Sequence, residues 1–190
     1  TEIAGAIAAA LQGTVTDRDA RNLSLIPTRN MAAYRTYHQA LNMRDSKHGV
    51  RTSPEYRALL REAAELDPNF TRPLAELVGS LSLPNFRQKD PALIEAAERT
   101  LAEIEAVAPN SSDFLIAQAY YTYYILQDFD LAHAIASEAL EMSPSDVRLV
   151  EMKSWIERRQ GNFYAMIDSI RQMRSLDPRN PRWTQSLINN

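Results

Sequence analysis

The sequence predicts an all-α fold of stacked antiparallel helix pairs, and three observations carry that prediction. Four prolines stand in one context, "LDP" at Pro68, "VAP" at Pro109, "MSP" at Pro144 and "LDP" at Pro178, at intervals of 41, 35 and 34 residues. Each closes an amphipathic segment, with Leu60 and Ala63, Leu101 and Ile104, Ala136 and Ala139, and Ile170 and Met173 at matched distances before it. Proline cannot continue a helical hydrogen-bond ladder and biases its predecessor away from helix. The third observation is a stripe of small residues, Ala132, Ala136 and Ala139, which lets one helix approach another closely. Only five glycines occur, which favours helix over turn-rich sheet.

The chain of 190 residues opens with "TEIAGAIAAALQG", an alanine-rich helical pattern that begins without a methionine, as a piece of a larger protein would. Residues 1–29 are expected to be a helix and linker left from an upstream domain, and 30–190 a repeat domain of about four helix pairs with a C-terminal cap. Asn30 to Met43 reads as the first helix, with Tyr34 and Tyr37 inward, followed by the long turn "RDSKHGVRTS". Ser53 then caps a helix with Pro54 at its first position, where a missing amide costs nothing.

The second unit starts with "RPLAELVGSLSL" from Arg72, and the insertion "PNFRQKD" before Asp90 and Pro91 accounts for the 41-residue interval. In the last two units "QDFDLA" and "GNFYAM" align Asp128 with Asn162 as helix N-caps and Phe129 with Phe163. The third unit carries one residue more than the fourth. "PRWTQSLINN" reads as a short terminal cap, with Trp183 over the last pair.

From about Asn30 to Pro181 this pattern resembles the tetratricopeptide repeat family, whose period is ~34 residues. The resemblance implies a right-handed superhelix with a concave face lined by the first helix of every unit. Tyr120 and Ser154 depart from it, standing where the family has glycine or another small residue; the tyrosine is expected to push the paired helices apart. The order of the pieces is also similar to bacterial signalling proteins in which an output domain precedes a TolB-like region and then tetratricopeptide repeats. There a helix like "EIAGAIAAAL" and an entry like "PTRNMAAY" lead into the first repeat. Outputs in that group include class III adenylate or guanylate cyclases, acid-responsive winged-helix transcription activators and serine/threonine kinases.

Composition narrows function. Net charge is -3, so nucleic acid is not an expected partner. No apolar run approaches the ~20 residues of a spanning helix, so this segment is not expected to insert into a membrane. The sequence leaves open whether it lies on the periplasmic side of an anchored protein or in the cytoplasm. Cysteine is absent, which removes disulfides and thiolate chemistry. The triplets at Asn22, Asn69 and Asn110 match glycosylation acceptors at a frequency chance supplies. His38, His48 and His133 lack metal-ligand spacing, phosphate-loop and nucleophile-elbow motifs are missing, and Glu62 with Glu65 and Glu95 with Glu98 read as solvated faces. No catalytic residue, cofactor or metal is expected.

The remaining unusual feature is "AYYTYYI" at 119–125. In a 34-residue register Phe114, Ala117, Tyr121 and Tyr124 face the concave groove, while Tyr120 and Tyr123 pack between helices. Either the tyrosines simply fill bulky packing positions, or two of them offer contact area to a peptide. Arg148, Glu151, Trp155 and Arg158 fall on the same face, with Arg72 from the second unit; Trp155 is alternatively covered by the terminal cap. The expected partner-binding set is Tyr121, Tyr124, Arg148, Trp155, Arg158 and Arg72, receiving a protein segment that carries carboxylates. Homodimerisation of an attached cyclase, or a sensor role in a membrane-bound activator, are the alternatives.

Overall fold

The computed structural model describes residues 28–46, 49–178, 180 and 183. The expected leading helix, His48 and the cap beyond Trp183 lie outside them. Among the described residues there are eight α-helices and no strand: α1 Met31–Ser46, α2 Pro54–Leu66, α3 Arg72–Ser82, α4 Pro91–Val107, α5 Ser112–Tyr121, α6 Phe129–Met142, α7 Val147–Arg159 and α8 Phe163–Leu176.

Helix starts follow from local chemistry. Side-chain oxygens of Ser53, Asp90, Ser111, Asp128, Asp146 and Asn162 accept hydrogen bonds from first-turn amides, and Asn30 does the same for Ala32 and Ala33. These caps satisfy donors that no helix can pair internally. With caps this close behind the preceding helix ends, successive helices must double back on one another. The pairs are α1 with α2, α3 with α4, α5 with α6 and α7 with α8, and the first helices also meet across pairs, α3 against α5 and α5 against α7. The architecture is therefore a tetratricopeptide-like stack of antiparallel helix pairs.

The alanine stripe has the role its size implies. Ala132, Ala136 and Ala139 have no exposed surface, and α6 lies directly against both α5 and α7. Seven of the eight apolar residues preceding the four prolines are buried, and Leu101 is half-buried. Tyr37 is buried against Phe70. Tyr34 departs from the expectation: it sits one turn nearer the open end of α1 and remains 36% exposed beside His38. Trp183 packs on Val150, Met166, Ile170 and Met173.

Both irregular intervals have structural causes. Helix α4 has 17 residues where α2, α6 and α8 have 13 or 14, so the insertion explains only part of the 41-residue interval and the longer helix supplies the rest. The inserted segment opens in a 3-10 turn, Leu83–Phe86, in which buried Asn85 donates to Leu81 O and accepts from the Asp90 amide. In the third unit, α5 continues into a π-helical turn at Thr122–Leu126. A π turn is what results when one residue is added within a helix. The caps locate that residue: Ser111 to Asp128 spans 17 positions and Asp146 to Asn162 spans 16. Gln127 ends the turn in the left-handed region at φ 59, and Gly161 holds the equivalent place at φ 75.

Candidate functional site

Aligning α3, α5 and α7 on their caps, Thr71, Ser111 and Asp146, sets the register of the inner face. Eight positions on stand Gly79, Ala119 and Ser154, all small and all buried. The expected departure at Tyr120 is thus corrected. Tyr120 occupies the following position, shared with Ser80 and Trp155, and Gly79 opens the space its ring fills. A Cβ on Gly79 would stand 2.9 Å from Tyr120 Cδ2.

The same one-residue shift moves Tyr121. Its hydroxyl donates to Glu98 Oε1 on α4 at 2.6 Å, and burial together with the Glu98 carboxylate pushes the phenol up to about 12. Tyr121 therefore faces α4, the second helix of the preceding pair, and Tyr120 takes the position expected of it. Tyr123 lies between Phe86 and Phe129, with its hydroxyl accepting from Arg159 Nε. Tyr124 and Trp155 do come together, with ring centroids 6.3 Å apart, and Tyr120 lies 6.4 Å from each. Arg158 is exposed on the last turn of α7.

Arg148 and Arg72 also converge, on Asp113. Arg148 Nη2 donates to Asp113 Oδ1 at 2.7 Å, and Arg72 Nε lies 3.6 Å from that oxygen. Arg148 Nε donates to Asp146 Oδ1 at 3.0 Å, and Thr71 Oγ1 donates to Asp113 Oδ2 at 3.1 Å. Burial works against charge on Asp146, yet the adjoining Arg148 holds its carboxyl below the usual range. Both guanidinium groups of the expected basic edge thus already engage internal carboxylates.

Deeper on the face, Glu76 is 1% exposed. Tyr56 OH donates to its Oε2 at 3.2 Å, and Arg44 Nη1 and Arg51 Nη2 stand 3.5 and 3.8 Å from that oxygen. Burial alone would raise the Glu76 carboxyl, but Arg44, Arg51 and Arg148 bring it below its ordinary value. Arg51 comes from the turn after α1, where Gly49 at φ 81 leads into a 3-10 turn, Val50–Thr52. Its guanidinium carbon lies 5.8 Å from the Tyr120 ring centre and 5.3 Å from that of Trp155. Trp155 is thus covered by Arg51, a residue that no sequence pattern places there.

At the mouth of this face a cleft of about 310 Å³ lies between Tyr34, Tyr37 and His38 of α1 and Arg72, Asp146 and Arg148 opposite. Burial lowers the His38 pKa. Among the described residues no group of three or more His, Cys, Asp or Glu residues is arranged to hold a metal, and no helix is long and apolar enough to cross a membrane.

No family model matches the chain, and no curated protein matches it. Among solved structures it is similar to one described as "MamA RS-1 ArsTM double mutant", at 18% identity and a TM-score of 0.43, covering 80% of this chain and 81% of that one. The fold assignment rests on the helix pairs themselves.

Proposed function

We propose that this chain is a noncatalytic interaction module that receives a segment of another protein on its concave face. The observation that carries this reading is the mouth of that face, where α1 and α7 stand on opposite sides of an open cleft with Tyr34 and Arg72 partly exposed. A cleft with aromatic walls and a few polar groups suits a side chain inserted from a partner backbone. Trp155 and exposed Arg158 continue the contact surface inward along α7, with Tyr124 beside Trp155 from the π turn after α5, and Arg148 and Arg72 orient the segment through the carboxylates they hold. Tyr121 belongs to the reading only through a partner that also reaches α4.

The wider proposal is that the module is the regulatory segment of a bacterial signalling protein with a cyclase-type output domain. It rests on the resemblance of the first forty residues and of the repeat order. Partner binding would then change the orientation or association of the output domain.

The test is site-specific photocrosslinking in the full-length protein in its own cells, with the reactive group at position 34 or 158 and, as control, at Glu105 on the exposed side of α4. A discrete crosslinked protein from 34 and 158 but not from 105 supports the reading. Crosslinks at 105 alone, or only a doubled mass of the chain itself, overturn it, and the second outcome assigns the homodimer.

A further inference from the structure

The centre of the concave face holds the groups that recognise an arginine side chain, and an arginine of the same chain already sits there. The Arg51 guanidinium lies over two neighbouring aromatic rings, Tyr120 and Trp155, at cation-π distance, and Glu76 and Glu151, both buried, bear on it electrostatically. Planar, weakly hydrated guanidinium suits such a site better than the compact ammonium of lysine.

Arg51 fills the site incompletely. Its Nη2 stands 3.8 Å from Glu76 Oε2, too far for a hydrogen bond. Glu76 Oε1 and the Tyr120 hydroxyl are buried without a hydrogen-bond partner. Two buried polar groups left unsatisfied beside a cation are costly, and a guanidinium approaching more closely would satisfy them.

The Arg51 side chain keeps 16% of its surface in solvent, while its backbone is tied down by Ser80 Oγ, which donates to Arg51 O. Exchange of the Arg51 side chain would leave this backbone anchor of the turn in place.

We infer that this pocket is an arginine-recognition site held in cis by Arg51, and that a partner segment occupies it by laying an arginine over Tyr120 and Trp155 in place of Arg51. This rests on the reading of the concave face as the partner-binding surface and adds the chemistry of the residue it selects. Arg51 then acts as a resident competitor that sets the threshold for binding.

The test is an NMR titration of the chain with N-acetyl-L-arginine amide, following the Trp155 indole N–H, which is assigned by its loss in Trp155→Phe. In Arg51→Ala the probe should bind saturably and at least tenfold more tightly than in the wild type, with N-acetyl-L-lysine amide at least tenfold weaker than the arginine probe. Arg51→Gln, which keeps a polar side chain on the turn, serves if the alanine variant loses its helical circular dichroism. No saturable shift in a folded Arg51 variant, equal affinity in the wild type, or equal response to lysine overturns the inference. The titration involves no protein partner, so crosslinking at 34 and 158 without an arginine response would retain the binding face and remove the pocket.

Discussion

Tyr120 on α5 packs its ring against the backbone of Gly79 on α3, leaving 2.9 Å between the ring's Cδ2 and the position a Cβ would take. The ring is fully buried and also contacts Tyr124 and Trp155, so it has nowhere to retreat. The contact joins two pairs of the stack and seats the aromatic side of the concave face.

Gly79→Ala should therefore destabilise the chain despite the better helix propensity of alanine. Overpacking costs about 1–3 kcal/mol and the propensity gain returns about 1, for a net loss of up to about 2 kcal/mol in urea unfolding. The same substitution in a Tyr120→Ala background should lose this penalty, because the ring that collides is gone. Equal penalties in both backgrounds would exclude the contact as the cause.

Gly161→Ala should cost about 1–2 kcal/mol for a different reason. Gly161 has φ 75, and no atom lies within 4 Å of the place its Cβ would take, so the cost is one of backbone conformation and not of space. Thermal melts of Gly161→Ala and Gly161→Asn distinguish the two, since asparagine tolerates this region and should lose less.

Arg148→Ala should be the most damaging of the charge deletions. Arg148, Asp146 and Asp113 have side chains only 10, 10 and 15% exposed, and removing the guanidinium leaves two nearly buried carboxylates without it. A loss of about 3–5 kcal/mol is expected from breaking such a cluster. Arg158→Ala, at an exposed position, should fall within about 0.5 kcal/mol of the parent. Comparable losses for both would mean that the Asp113 cluster contributes nothing specific.

Acid should weaken the fold through Glu76 and Asp146. Burial opposes their ionisation, but the arginines beside them hold both carboxyls below their ordinary values. A carboxyl whose folded pKa is depressed contributes stability that is complete above its unfolded value, about 4, and is lost as pH falls through the folded value. The melting temperature should hold between about pH 5 and 7 and drop on further acidification. Glu76→Gln should lower it at neutral pH and make the acid drop shallower. A wild-type melting temperature that rises below about pH 4 would reverse the sign assigned to these groups.

Much of the fold was legible because it is written in short-range chemistry. Asp128 and Asn162 announce helix starts, Pro144 and Pro178 announce stops, and the alanines at 132, 136 and 139 mark the tight interface. The candidate site was less legible. One extra residue inside a helix rotates its later turns by about 100° relative to its earlier ones. A 34-residue alignment therefore matched Tyr121 with Trp155 and placed Tyr120 at the small position. Aligning on the caps Ser111 and Asp146, 35 apart, carries the correct register, and that signal is present in the sequence once both caps are recognised.

The sequence by itself determined the helices, their caps and the repeat, since a cap or a proline acts within a turn or two of its own position. Only the tertiary structure decided that Arg51 lies over Tyr120 and Trp155, that Asp113 gathers Arg72 and Arg148, and that Gly79 accommodates a tyrosine from the next pair. Those arrangements join residues 35 to 104 positions apart, and they arise from how stacked pairs curve around a common inner face, which no local pattern encodes.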